Sequence, residues 1–276
     1  MNPETAVEAI KNQPDWGSIA EKFDLWLPHI APVGAALLDA LDTQPGDIVL
    51  DVASGTGEPA LTLARRMGNT IKIIGTDAAA AMVNVAQKKA INEKLSQIQF
   101  QHMATEKLNF PDAAFDKILC RFGVMLFEDS LQGLKQMQRV LKPGGRFAIA
   151  VWSTPETMPT LRWAYQVFAG RIPADKYPPL PKATSLGLPG VLDNLLTQAG
   201  FRDCMIRPIT FHYHFSSFDD YWNAVEQSDI LKMQYDILPE DQRSVIRNEI
   251  AALAHAFIGK DGLVVPHEFL LATGTK

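Results

Sequence analysis

The sequence predicts an α/β protein built on a mostly parallel sheet and covered by a mainly helical cap. Three observations carry that expectation. Apolar runs of strand length alternate with stretches of helical periodicity between Ile48 and Trp152. A glycine-containing loop, "ASGTGEP", separates the first of those runs from the first of those stretches. After Trp152 the alternation stops, and a segment rich in proline and aromatic residues begins.

Residues 1–14 read as a loose polar tail. Ile19, Phe23, Trp26, Val33, Leu37, Leu38 and Leu41 then recur at helical spacing, which predicts helix from Asp15 to about Asp42 with a first segment over 15–28. Pro45-Gly46-Asp47 is a turn. "IVLDV" is a strand and "EPALTLARRM" a helix, with Pro59 tolerated in the first turn. "IKIIGT" is a strand, Ala79 to Leu95 a helix, "IQFQHM" and "FDKILCRF" strands, "SLQGLKQMQRVL" a helix, "KPGG" a turn and "RFAIAVW" a strand. Strands joined through helices must run parallel by right-handed crossovers. Beyond Trp152, Pro155, Pro159, Trp163, Tyr165, Phe168, Tyr177, Pro178 and Pro179 do not fit another βα unit. A helix "GVLDNLLTQAG", a strand "MIRPITFHYHF", two helices within 217–259 and a strand "GLVVPHEFLLATG" follow. We expect one domain over 1–276. Its core is about 30–152 with late strands about 201–215 and 262–273. Its cap is formed by helix 15–28 and inserts about 153–190 and 216–260.

The 276 residues can bury a substantial core, and 47% hydrophobic with 21% charged residues is ordinary globular usage. Lys+Arg 26 against Asp+Glu 31 gives a net charge of −5, which argues against nucleic-acid binding. Cys120 and Cys204 are distant and lack metal-ligand spacing, so neither a disulfide framework nor a metal is expected. No secretory leader and no membrane-length apolar run is read, and the expected location is the cytoplasm.

The glycine loop can be written Gly55-x-Gly57-x-x-Ala60, and Asp77 ends the second strand 77 − 55 = 22 residues on, where a ribose-binding acid belongs. That spacing alone suggests NAD. The charges oppose it. Asp51 sits within an apolar strand, where a carboxylate needs a partner, and Glu58 stands at the helix start, where a diphosphate would lie. Repulsion there would cost several kcal/mol in a low-dielectric cleft. A cationic nucleoside without phosphate fits instead, and S-adenosylmethionine is one. The alternative is that Asp51 and Glu58 only cap the helix.

"VLDVASGTGEPALTLA", "IIGTDAAAAM", "FPDAAFDKILCRFG" and "LKQMQRVLKPGGRFAIAVW" together resemble the class I S-adenosylmethionine-dependent methyltransferases, in particular their UbiE/COQ5-like branch, over about residues 16–152. The resemblance implies a Rossmann-like sheet of seven strands with the last antiparallel. It implies that Asp51 supports the loop and the methionine end of the cofactor, and that Ala53, Ser54, Gly55 and Gly57 give close backbone approach. Asp77, followed by Ala78, would bind the ribose hydroxyls, and Met82 would pack on the adenine. Similar enzymes commonly place an aspartate where this chain has Ala104, so the adenine amino group would turn to Thr105, Glu106 or water. Arg121 and Phe122 would border the sulfonium, and Phe23 would cover the cofactor.

Those motifs name the cofactor and leave the acceptor open. Methyl transfer is an in-line displacement needing alignment and, for a hydroxyl, a base. The base candidates are His212 and His214, which alternate with Phe211, Tyr213 and Phe215 and share one side of a strand, and His29. His102 and His255 are assigned structural roles, and His267 is placed in the last strand, away from the expected cleft. Of the cap aromatics (Trp152, Trp163, Tyr165, Phe168, Tyr177, Phe218, Tyr221, Trp222 and Tyr235), Trp152, Trp163, Tyr221 and Trp222 are the candidate substrate pocket. The expected activity is methylation of oxygen or nitrogen on a small apolar or aromatic acceptor. Carbon methylation of a quinone- or phenol-type ring is the alternative, followed by an NAD-dependent oxidoreductase and a cofactor-binding module without catalysis.

Overall fold

The computed structural model describes residues 16–168, 171, 182–228 and 240–276. The tail at 1–14, Tyr177, Pro178, Pro179 and Tyr235 lie outside the described residues. Eight strands form one sheet: β1 (Ile48–Val52), β2 (Lys72–Asp77), β3 (Ile98–His102), β4 (Phe115–Arg121), β5 (Leu141–Trp152), β6 (Arg202–Phe215), β7 (Ile258–Gly259) and β8 (Gly262–Thr275). Their order is β3-β2-β1-β4-β5-β8-β6, with the two-residue β7 paired to β8 outside that path. Strands β1 to β5 pair in parallel, and β8 runs antiparallel between β5 and β6. The sheet is Rossmann-like with its last long strand reversed, as the sequence predicts; the short β7 is the addition.

Two apolar layers cover the sheet. On one face lie α2 (Leu27–Leu41), α3 (Ala60–Met67) and α4 (Ala80–Asn92), with Val33, Leu37, Leu61 and Ala86 fully buried. On the other lie α5 (Ser130–Val140) and α7 (Val191–Ala199), with Leu134, Met137 and Leu196 fully buried. Burial on both sides explains why β1 is apolar at every position but Asp51 instead of alternating. The helices α6 (Pro159–Phe168), α8 (Phe218–Ser228) and α9 (Glu240–Ala254) extend the first layer through Trp163, Tyr221, Ile246 and Ile250.

The single helix expected over 15–28 is broken. A short α1 (Trp16–Ile19) gives way to a 3-10 turn at Phe23–Leu25, and α2 restarts at Leu27. Pro28 lies in the first turn of α2; it lacks an N–H and constrains the residue before it, so it starts a helix more readily than it continues one. The "KPGG" turn is instead an irregularity inside β5. Pairing jumps from Phe115↔Leu141 to Lys117↔Arg146 across it, and Gly144 has φ +74°.

Pairing β1 with β2 on one side and β4 on the other makes β1/β4 the point where the strand order reverses. Open α/β sheets bind ligands in the crevice beyond the strand ends at that point.

Candidate active site

A cavity of about 620 Å³ opens there. Its walls come from the segments following β1 (Ala53, Ser54, Gly55, Glu58), β2 (Asp77, Ala78), β3 (Ala104 to Lys107) and β4 (Arg121 to Gly123). Trp152 at the end of β5, Tyr213 on β6 and cap residues Met158, Thr160, Leu161 and Tyr221 close the far end. The volume falls in the range that holds a small molecule, on the order of 300–1,000 Å³.

The loop after β1 is drawn tight by Asp77. One carboxylate oxygen accepts from the Gly55 N–H at 2.8 Å, and the other accepts from the Ala79 N–H at 2.8 Å. Asp77 therefore ties the β1 and β2 loops together while keeping lone pairs toward the cavity. Burial raises its pKa, and the two backbone amides pull it back. Gly55 has φ +54° and only open space where a Cβ would stand, so its backbone faces the cavity bare. Gly57 differs: a Cβ there would meet Leu61 Cδ1 at 2.7 Å and Phe100 at 3.1 Å. It serves close packing and does not line the cavity. Ala53 and Phe122, at the mouths of β1 and β4, both take positive φ, 53° and 60°. Each costs roughly 1–2 kcal/mol, and both border the cavity.

Asp51 is fully buried beneath the loop and absent from the cavity wall. No side chain hydrogen-bonds to its oxygens, and the Ala60 N–H is the backbone donor directed at them. Burial pushes its carboxyl well above the usual range; the Arg121 guanidinium pulls it down, and Asp77 and Glu58 push it further up. It stands beneath the loop and outside the wall, so of the support expected of it the part it can give the loop is positional. Glu58 lines the cavity but is committed: it accepts from the Thr62 N–H and hydroxyl and pairs with Arg65 at 2.8 Å. The capping alternative thus accounts for Glu58, and Asp77 is the acid left to face a ligand in the cradle.

Met82 is 2% exposed and lines the cavity beside Ala104 and the buried Thr105. Glu106 is at the same end, with one oxygen accepting from the Glu128 N–H at 2.9 Å. Phe23 borders the cavity, and so does Trp16, its edge-to-face neighbour at 6.1 Å. Phe122 stacks on Trp152 at 3.7 Å. Arg121 shares their end of the cavity; no hydrogen bond or ion pair engages its guanidinium among the described residues, and burial lowers its pKa against the raising effect of Asp51, Glu58 and Tyr213.

The histidine candidates do not reach the cavity. His212 and His214 share a side of β6, and that side is exposed; the intervening Tyr213 faces in. His29 stacks on Phe215 at 3.8 Å, half-buried outside the cavity, and burial lowers its pKa. Trp163 and Trp222 are buried within the cap, Trp163 against Tyr221 and Phe257, and Trp222 donating to Glu226, so neither lines the pocket. Trp152 and Tyr221 do. His255, expected to pack, is exposed. Cys120 is buried with its thiol pushed up to about 12, which removes it as a nucleophile.

Sequence reasoning missed Trp26, Thr160 and Tyr213 in the wall. It also placed His267 away from the cleft, whereas that buried ring contacts the wall residue Thr160 at 2.7 Å. Among the described residues no three His, Cys, Asp or Glu side chains gather as metal ligands, and no helix is long and apolar enough to cross a membrane.

The sequence profile described as the ubiE/COQ5 methyltransferase family matches residues 34–175, just over half of the chain. The chain is 39% identical over 147 residues to a demethylmenaquinone methyltransferase of Deinococcus radiodurans, covering 51% of this chain and 59% of that protein. It is 43% identical over 112 residues to a ubiquinone/menaquinone biosynthesis C-methyltransferase of Geotalea daltonii, covering 40% and 48%. The matches thus span about half the length of these curated relatives. In fold, the chain is similar to the YcgJ protein from Bacillus subtilis, with a TM-score of 0.59 at 22% identity over 90% of this chain and 99% of that one.

Proposed function

Because the chain belongs to the ubiE/COQ5 methyltransferase family, we propose that it uses S-adenosylmethionine to methylate a ring carbon of a small phenol- or quinol-type acceptor. The observation that carries this reading is the division of the cavity. One end is a nucleoside cradle, and the other is an aromatic chamber bordered by the Arg121 guanidinium, which no hydrogen bond or ion pair engages among the described residues.

The cradle fits the cofactor. Asp77 retains lone pairs for a ribose diol, Gly55 admits close approach, and the Ser54 hydroxyl, buried in the wall, has no partner. Met82 would lie against the adenine, and Thr105 and Glu106 stand where its edge would fall. When bound, S-adenosylmethionine supplies an electrophilic methyl group on a sulfonium. The residues of this chain then have to align the acceptor in line and exclude water. Phe23 and Trp16 cover one side of the cavity, and Phe122 stacked on Trp152 forms a flat wall.

Arg121 favours the carbon reading. A ring carbon becomes nucleophilic when the ring hydroxyl has given its proton to bulk water before the site closes; the Arg121 guanidinium would steady that oxyanion, and after transfer the proton on the methylated carbon leaves to water as the ring regains aromaticity. The oxygen and nitrogen reading would be better served by a base in the cavity, and the histidines named for that role point elsewhere. The names of the curated relatives, a demethylmenaquinone methyltransferase and a C-methyltransferase, support the same choice. An NAD reading loses its basis with family membership.

The test is transfer of labelled methyl from S-adenosylmethionine to a panel of naphthoquinols, phenols and arylamines, with the product methyl located by NMR. Methyl on a ring carbon is the expected result. Methyl on oxygen or nitrogen would overturn the ring-carbon assignment, and failure to bind S-adenosylhomocysteine would overturn the enzyme class.

A further inference from the structure

An acid ties the cover of the cavity to the glycine loop. The cover is the segment from Trp16 to Trp26, which brings Trp16 and Phe23 to the wall. Asp24 follows Phe23 in the 3-10 turn, and its carboxylate crosses to the core. One oxygen accepts from the Thr56 hydroxyl at 2.7 Å, and the other pairs with Lys89 of α4 at 2.6 Å. Lys89 also donates to the Thr56 carbonyl at 3.1 Å, which closes a ring of three contacts. The backbone bonds of the turn stay within the cover: the Leu25 N–H donates to the Lys22 carbonyl and the Trp26 N–H to that of Phe23. Trp26 is buried in the core and anchors the end of the segment.

Thr56 stands between the two glycines of the loop and is 1% exposed. Its neighbour Gly55 is held by Asp77. Two carboxylates thus hold adjacent residues of one loop, Asp77 from β2 and Asp24 from the cover. The contacts of Asp24 differ in weight. Lys89 and Asp24 keep 24% and 39% of their side chains exposed, and an ion pair in water adds little. The Thr56 hydroxyl is buried, its acceptor is charged, and without Asp24 it would be left unsatisfied. None of the three contacts involves a ligand. Breaking them therefore shifts the opening of the cover by the same factor in the free and the loaded protein.

We propose that Asp24 is a positioning residue: through Thr56 it seats the cover carrying Trp16 and Phe23 on the glycine loop, and the opening of that cover sets how fast the cofactor enters and leaves. The inference rests on the S-adenosylmethionine reading of the cradle and is independent of which acceptor atom is methylated. Asp24 is absent from the cavity wall, so it acts on the cofactor through the rings that its segment carries. Because the seat lies between groups of the protein, loosening it quickens entry and exit together and changes affinity little. Damage to the cradle itself does otherwise: exit quickens, entry does not, and affinity falls.

The experiment measures kon and koff of S-adenosylhomocysteine by stopped-flow tryptophan fluorescence, with Trp16 and Trp26 beside the cavity as reporters. In Asp24→Ala both rates should rise about tenfold, with Kd within about threefold of the wild type. In Lys89→Met, which spares the bond from Thr56, both should rise by no more than about threefold. Hydrogen exchange over residues 16–26, read in the ligand-free protein, should quicken in Asp24→Ala. Unchanged rates or unchanged exchange in Asp24→Ala overturn the inference, as does a rise in koff matched by a loss of affinity. An effect of Lys89→Met as large as that of Asp24→Ala overturns the part given to Thr56. Failure of the wild type to bind S-adenosylhomocysteine would instead defeat the enzyme class and the gating with it, and the exchange result, which needs no ligand, tells that failure from a failure of the seat.

Discussion

The neutrality of His267 makes a measurable demand on stability. Its pKa falls from 6.5 to about 4 in the folded protein, first through burial and then through His212, against a raising effect from the Val265 carbonyl. The unfolded chain therefore binds a proton between those values that the folded chain refuses. With the folded value depressed, the contribution is fully present above pH 6.5 and is lost as pH falls toward 4. A tenfold change in proton affinity corresponds to about 1.4 kcal/mol, so the full effect is about 3 kcal/mol, of which about 2 kcal/mol is lost between pH 7 and pH 5. His29 is displaced in the same direction, while Asp51 and Asp77 are displaced in the opposite sense, favouring the folded state as pH falls. A difference against His267→Gln cancels these shared contributions. Urea unfolding of both proteins at pH 7 and pH 5 should show the wild type losing about 2 kcal/mol more than the variant. Equal losses would mean that the folded protein protonates His267 as readily as the unfolded chain does, and the account of its burial would fail with it.

Other expectations follow from the loop and the cation. Asp77→Asn sets an amide NH₂ against one of the two N–H groups that the carboxylate now receives at 2.8 Å. S-adenosylhomocysteine affinity should drop about 10- to 100-fold by calorimetry, the loss of one charged hydrogen bond; unchanged affinity would remove Asp77 from the ribose. Gly57→Ala drives a Cβ to 2.7 Å from Leu61 Cδ1 at φ +103° and should cost about 2–4 kcal/mol in a denaturant titration. Arg121→Met should lower kcat about 100-fold while leaving S-adenosylhomocysteine affinity within a few-fold, measured by steady-state kinetics and calorimetry. A loss confined to cofactor affinity would move Arg121 from the acceptor to the cradle.

The sequence made the cradle legible because its parts are local. The loop from Ala53 to Gly57 follows one strand, Asp77 ends the next, and the spacing between them is set by a single βα unit. The acceptor end is built otherwise. Thr160 and His267 are 107 positions apart and meet only because β8 inserts beside β5 and α6 lies over it. Alternation along β6 places His212 and His214 on a common side, yet a period of two cannot say which side faces the cavity; burial of Phe211, Tyr213 and Phe215 decides that. Trp163 and Trp222 escape the sequence pattern for a related reason. A cap needs its own apolar interior, and composition does not separate rings that fill it from rings that line a wall. Pro28 is a local signal for the break in the first helix, one that helical periodicity alone conceals.

The position of β8 carries a consequence for how the molecule assembles. It follows β6 in the chain yet lies between β5 and β6, pairing Trp152 with Phe269 on one side and Phe211 with His267 on the other. During synthesis β6 emerges with no neighbour to pair with, and it must wait for a strand some fifty residues later to dock it. Strands β1 to β5 depend on no such late arrival. The end of the crevice built by the loops after β1 to β4 can therefore mature while the ribosome is still delivering the partner that completes the end walled by Tyr213 and Tyr221.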